Sequence, residues 1–259
     1  MDTQSKKERY KNSLLHLAQS GKYIPGIYNY CDRWCERCTM TAKCLTYAQE
    51  QATKEEATDP ETNDISNEKF WESMHLSFQV TLELLYEDAR RRGINLDNLP
   101  EVERKKPEKK PVEKMADQYS KKMMKWLTKN RENLEQKAQQ LLLVSNSEEN
   151  ALKFADAWEV VQWYSVFISA KIHRAHFDLD ERLEGEEDEY NLFSDNLGSA
   201  KIALIAIDRT LAALTALYTV MPDKEDEFLD FLARLSQIKK MMLETFPGAM
   251  AFKRPGFDN

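Results

Sequence analysis

The chain has 259 residues, 42% apolar and 31% charged, with a formal net charge of −7. That length can bury a sizeable core and the composition is globular, while the acidity disfavours nonspecific binding to nucleic acid, which needs a basic surface to displace counterions. Seven glycines and eight prolines are too few for a hairpin-rich β fold, and neither GxGxxG nor a GxxxxGKS/T loop occurs, so no phosphate-cradling loop is expected.

The first nine residues are polar and lack the apolar core of a secretory signal. The expected address is cytoplasmic, with reduced thiols. An amphipathic helix is predicted from about Lys6 to Gln19, with Tyr10, Leu14, Leu17 and Ala18 on one face and Gly21 as its C-terminal stop. An aromatic stretch, Tyr23 to Tyr30, leads into the cysteines, so residues 1–50 read as an N-terminal helix plus a cysteine-rich module. Residues 51–66 are acidic and polar and contain Asp59-Pro60, which predicts a linker.

The remainder, 67–246, reads as a helical bundle. One helix is predicted near Asn67–Arg92, with Phe70, Met74, Phe78, Leu82 and Leu85 as its apolar stripe and Gly93 at its end. The proline- and lysine-rich segment Leu99–Glu113 is a solvated break, as is the acidic segment Asp178–Tyr190. These two are opposite in sign, and simple solvation is favoured over their meeting. Between them lie a polar helix near Lys114–Val144 and an aromatic one near Ser147–Asp178, whose Trp158, Trp163, Tyr164 and Phe167 read as core. The next helix, capped by Ser194 or Asp195 and running to about Tyr218, is apolar nearly all round and so expected at the centre. Its apolar run Ile202–Val220 is broken by Asp208-Arg209-Thr210, so no membrane span is expected. Pro222 stops it, a last helix covers Lys224–Thr245, and 247–259 is an irregular tail. No window alternates with the period of a strand. The fold class is therefore all-α: a bundle of about five or six helices with an N-terminal cysteine-rich metal-binding segment.

The chemistry concentrates at Cys31, Cys35, Cys38 and Cys44. These are all the cysteines of the chain, and they fall within 14 residues as C-x3-C-x2-C-x5-C. If Cys31 to Cys38 were helical, three thiols would lie at about 0°, 40° and −20° around the axis, and the chain would have to turn before Cys44. Four thiolates on a dication or a [4Fe–4S] core leave a charge of about −2, which Arg33, Arg37 and Lys43 could offset. Zinc sites usually show two CxxC pairs, and only Cys35–Cys38 is one here; dense spacing suits a [4Fe–4S] cluster slightly better. The first three cysteines resemble the C-x3-C-x2-C motif of the radical S-adenosylmethionine enzymes. That resemblance covers eight residues, the family's barrel needs strands that are absent, and a fourth cysteine would close the iron site that the family leaves open.

Weaker constellations lie on the helices. Glu72-Ser-Met-His75 has the ExxH spacing that di-iron bundles project from a helix, with His75 expected to face the core. Glu159 and Asp208 sit within other helices, but the second ExxH that such a site needs reads Glu159-Val-Val-Gln162. Pairing with neighbours such as Arg209, Gln162 or Tyr164 is the favoured account of these groups. His173 and His176, three apart, could bind a metal but suit a helix C-terminus as they stand. The resulting expectation is a metal-binding redox or interaction module (iron–sulfur or zinc) with a possible protein partner, no nucleic acid and no membrane. The alternative is an oxidoreductase-like bundle enzyme using Glu72, His75, Glu159 and Asp208.

Overall fold

The computed structural model describes residues 3–56, 64–98, 108–143, 148–177 and 192–258. These form seven α-helices and no strand: α1 (Thr3–Gln19), α2 (Leu45–Glu56), α3 (Glu68–Arg91), α4 (Pro111–Leu143), α5 (Glu148–His176), α6 (Leu192–Val220) and α7 (Glu225–Thr245). The helix beyond those expected is α2. Its sequence, read from Gln51 onward as linker, is rich in alanine and straight-chain Gln, Glu and Lys, which lose little rotamer freedom in a helix. The acidic Asp178–Tyr190 segment lies outside the described residues. Packing divides the chain into two compact units, Met1–Tyr28 with Arg33–Lys106, and Asn29–Asp32 with Pro107–Asn259. In the first of these units α3 packs with α1.

In the first unit, α1 meets both α2 and α3. The α1–α3 seam is polar. Lys7 and Lys11 both pair with Glu83 at 2.5 Å, Lys11 also reaches Glu87 at 2.6 Å, and Tyr10 Oη lies 3.3 Å from Ser77 Oγ. Hydrogen bonds from Lys11 and Lys7 pull the Glu83 carboxyl down to about 2. Because α1 offers lysines, α3 turns its glutamates and Val80 towards it. The opposite face, with Met74, Phe78, Leu82 and Leu85, is exposed, Phe78 by 63%; a core position for that stripe is not what the packing chose. Asn67 caps α3 through Lys69 N at 3.0 Å. Gly93, at φ 72°, ends it in a Schellman motif, with Gly93 N to Arg90 O at 3.1 Å and Ile94 N to Ala89 O at 2.8 Å.

The second unit is a four-helix bundle in which α4, α5, α6 and α7 pack in sequence and α7 returns to α4. Each neighbouring pair is antiparallel, because contacts pair the start of one helix with the end of the next: His173 with Glu113, Arg174 with Asp195, Tyr218 with Glu225, and Trp126 with Phe228 against Tyr119 with Phe231. Local sequence sets the helix starts. Pro111 occupies the first turn of α4, and Glu113 Oε2 accepts from Lys110 N at 2.6 Å, half of a capping box. Glu148 and Glu149 open α5 while His173, Arg174 and His176 close it, complementing the helix dipole. α6 begins at Leu192, earlier than expected, so Asp195 lies in its first turn.

The core contains Met123, Leu134, Phe154, Val161, Ile168, Ile172, Ile207, Leu214, Phe228, Phe231, Leu235 and Ile238. As expected, α6 is central, with Ala200, Ala203, Ala206 and Ala213 buried. By length and composition Asp195–Val220 would suffice to cross a membrane, and half of its most apolar window is buried within the protein. After α7 the chain stays attached to the bundle. Phe246 packs on His176 at 5.0 Å, and Lys201 Nζ donates to Phe252 O at 2.6 Å and to Asp258 Oδ2 at 2.7 Å.

Candidate metal-binding segment

The cysteine stretch is built from tight turns rather than a helix. Arg33 has φ 59°, a left-handed conformation that breaks any helix between Cys31 and Cys38. The expected helical alignment of three thiols is therefore not how this segment is organised. Cys35–Arg37 and Thr41–Lys43 are 3-10 turns. Cys38 N closes the first onto Cys35 O at 3.2 Å, and Cys44 N closes the second onto Thr41 O at 3.1 Å. Met40 N donates to Cys38 Sγ at 3.3 Å. Cys44 O accepts from Ala48 N at 3.1 Å, which sets Cys44 at the positive end of the α2 dipole. Ile24 N donates to Lys43 O at 3.0 Å and ties the aromatic stretch to the second turn.

All four cysteines are partly exposed and none is in a disulfide. Arg37 lies 3.9 Å above the Trp34 ring and Arg33 5.9 Å from that of Tyr28, so both expected charge-balancing arginines rest on aromatic faces. Four thiolates are a soft donor set suited to zinc or iron–sulfur. Among the described residues, however, no three His, Cys, Asp or Glu side chains are grouped so as to hold a metal ion.

Asn29–Asp32, which contains Cys31, belongs with the bundle. Asp32 Oδ2 accepts from Tyr164 Oη at 2.7 Å and from Arg209 Nη1 at 2.6 Å, and Arg209 Nη1 also donates to Tyr164 Oη at 2.7 Å. The Asp32 carbonyl accepts from Trp163 Nε1 at 3.0 Å, and the Asn29 carbonyl from Lys171 Nζ at 3.1 Å. Burial, then the neighbouring Asp32 carboxylate, push the Tyr164 phenol up to about 12 against the opposing pull of Arg209. Tyr30 packs edge-on against Phe252 at 4.9 Å, in space left by the missing side chain of Gly198. The sequence signals Tyr164 and Arg209 as pairing residues. It gives no sign that their shared partner is Asp32, more than 130 positions from Tyr164.

A second cluster joins α4 and α5. His173 Nδ1 lies 2.6 Å from Glu113 Oε1 and its Nε2 lies 2.8 Å from Asp117 Oδ1. Asp117 also accepts from Ser169 Oγ at 2.7 Å and Lys109 Nζ at 2.6 Å. Burial raises the Asp117 carboxyl, but the bonds from Lys109, His173 and Ser169 outweigh it and hold the group well below the usual carboxylate range. His173 thus spans two carboxylates on opposite ring edges, while the buried His176 bonds its own helix at Ile172 O, 2.9 Å away. The two histidines do not share a ligand position.

The candidate enzyme residues are placed at the surface. Glu72 and His75 are exposed on α3, and His75 bonds Gln79 Nε2 at 2.9 Å instead of facing a core. Glu159 is exposed on α5, and Asp208, exposed on α6, pairs with Lys239 at 2.6 Å. No protein-family model, curated protein or solved structure matches the chain.

Proposed function

We propose that this chain is a metal-binding helical protein acting as a redox or interaction module, with Cys31, Cys35, Cys38 and Cys44 holding a [4Fe–4S] cluster or Zn2+. The observation that carries this reading is the confinement of every cysteine in 259 residues to a stretch of 14. Reduced thiols at that density gain little by packing, and two disulfides would conflict with a reducing compartment. Two local features support it. The Met40 N–H directed at Cys38 Sγ is the kind of hydrogen bond that tunes a thiolate-bound metal. The tight turn joining Cys35 to Cys38 brings a CxxC pair close along the chain. A closed four-thiolate shell leaves no position for substrate, so a staple or an electron carrier fits better than a catalyst.

The deciding measurement is metal content, acid-labile sulfide and the visible spectrum of protein purified without air. Iron with equivalent sulfide and a brown, broadly absorbing protein identifies the cluster and an electron-transfer role. Stoichiometric zinc without colour identifies a folding staple for an interaction surface. Cys38→Ser should release either metal and leave α4–α7 folded, since those helices contain no cysteine. Wild-type protein carrying neither metal, and taking up none on anaerobic reconstitution, would refute the reading.

A further inference from the structure

We propose that the exposed apolar face of α3 is an interface with a second copy of this chain, the two α3 helices lying antiparallel across a two-fold axis. The inference is independent of the cysteine reading and rests on one helix. Around the helix axis, Trp71, Met74, Phe78, Leu82 and Leu85 fall within about 80° of arc, and no charged residue of α3 shares that arc. The pattern Trp71–Leu82 and Met74–Leu85 repeats after 11 residues, so the stripe runs nearly straight along the helix. α1 packs on the other side, against Glu83 and Glu87, and leaves the stripe uncovered. Trp71, Phe78, Leu82 and Leu85 each expose more than half of their surface, and Met74 exposes 36%. For side chains of these sizes that is roughly 500–600 Å2, at the upper end of what a monomer shows and most of the about 800 Å2 that each partner of a standard interface covers. The polar tips on this face are already used. Trp71 Nε1 donates to Ile65 O at 2.9 Å, and Tyr86 Oη, at the edge of the stripe, donates to Asp97 Oδ1 at 3.0 Å. Pairing therefore strands neither donor.

Charge selects the occupant. α3 carries Glu68, Glu72, Glu83, Glu87 and Asp88 against Lys69, Arg90 and Arg91, an acidic balance that opposes docking on an anionic lipid surface. The unlike charges are also separated along the helix, with Glu68 and Glu72 near its start and Arg90 and Arg91 at its finish. Glu68, Glu72 and Arg90 lie on the same edge of the stripe, at about 60°, 100° and 100° from Trp71. In an antiparallel pair, like edges meet. With the two-fold axis level with Val80, Phe78 of one copy lies against Leu82 of the other, and Arg90 of the second copy stands between Glu68 and Glu72 of the first. The symmetry makes each of these contacts twice. A parallel pair would bring the two acidic ends together instead.

The test is sedimentation velocity of the full-length chain over about 1–100 μM, the range in which a modest interface associates, with reductant present so that thiol cross-links do not count. Wild type is expected to dimerise reversibly. Phe78→Glu, at a side chain already 63% exposed, should weaken association by about a hundredfold or more while the circular dichroism is unchanged. Leu82→Gln examines the same face with a milder change. Leu152→Glu, at an exposed leucine of α5, should behave as wild type. Glu72→Arg and Arg90→Glu should each weaken association by about tenfold, and the double reversal should return it to within about threefold of wild type. A wild type that stays monomeric throughout overturns the inference, whether it binds phosphatidylserine vesicles or nothing at all. So does a dimer that survives both Phe78→Glu and Leu82→Gln, or a double reversal no better than either single variant.

Discussion

A Gly→Ala change in the interior of a helix usually stabilises it by about 1 kcal/mol, because alanine costs less backbone entropy than glycine. Gly198, in the second turn of α6, should do the reverse. A Cβ there would clash with the edge of the Tyr30 ring at Cδ1 and Cε1 and lie 2.9 Å from Phe252 Cε1. Neither ring can yield cheaply: the two pack edge-on at 4.9 Å, and the Phe252 carbonyl is held by Lys201 Nζ at 2.6 Å. Overpacking of this kind costs about 1–3 kcal/mol, so after the propensity gain Gly198→Ala should be destabilising by up to about 2 kcal/mol. The assay is urea unfolding of Gly198→Ala, Tyr30→Ala and the double variant, with hydrogen exchange read at α6. With the Tyr30 ring removed, the alanine should cost less or become stabilising, a coupling of about 1 kcal/mol or more. The single variant should also raise the rate at which a thiol reagent labels Cys31, because displacing Tyr30 disturbs the residue that follows it. A single variant more stable than wild type, or a cycle without coupling, would refute the claim that Tyr30 is seated on α6.

Three further outcomes follow from polar groups of the bundle. His173→Ala strips Glu113 Oε1 of its partner while Oε2 keeps the Lys110 N–H and Asp117 keeps Lys109 and Ser169. Two hydrogen bonds are lost, one to Asp117 and one to the 11% exposed Glu113 carboxylate; the less compensated Glu113 bond is worth about 1.5–3 kcal/mol, and a cycle with Glu113→Gln should be strongly non-additive in denaturant unfolding. Tyr119 is fully buried, and its hydroxyl, like Ser199 Oγ, has no hydrogen-bond partner among the described residues. Tyr119→Phe should therefore be neutral or stabilising, whereas Tyr164→Phe should cost stability; equal losses would show that Tyr119 has a bound partner. The carboxyls of Asp117 and Asp258 are both held below their ordinary range, Asp258 chiefly by Arg254 and Lys201. A depressed folded pKa gives stability that is complete above the unfolded value of about 4 and fades as pH falls below it. Asp258→Asn should flatten the acid limb of the stability–pH curve and change nothing in its slope between pH 6 and 8; an unchanged acid limb would count against the ion pair.

Where helices begin and end was legible because the signals are local. Gly21 and Gly93 adopt positive φ where a stop was expected, and Pro222 follows the end of α6. The central place of α6 was equally legible, since a helix without a continuous polar face has to be covered on most sides. α3 shows the limit. Periodicity reveals that Met74, Phe78, Leu82 and Leu85 share a face, but burial depends on what the neighbour offers. α1 offers Lys7 and Lys11, so Glu83 and Glu87 of α3 face that seam, part-exposed, with the buried Val80 on the same side. His75 is at the surface for the same reason.

The candidate site divides along the same line. That four thiols crowd into one stretch is a fact of composition, and no folding information is needed to see it. How the stretch bends is not legible in the sequence, because spacings of four and three residues fit a helix as well as they fit two turns. The left-handed residue that decides between them is Arg33, a type with no particular taste for that conformation. Such a backbone is held by its surroundings rather than by its own preference, and immediately before Arg33 the surroundings are Asp32 with Tyr164, Arg209 and Trp163. The backbone of Asn29–Asp32 is thus held by helices that enter the sequence more than a hundred residues later. Reading it required their register, and the register of α5 against α6 is marked by the contacts of Arg174 with Asp195 near one end and of Tyr164 with Arg209 further along.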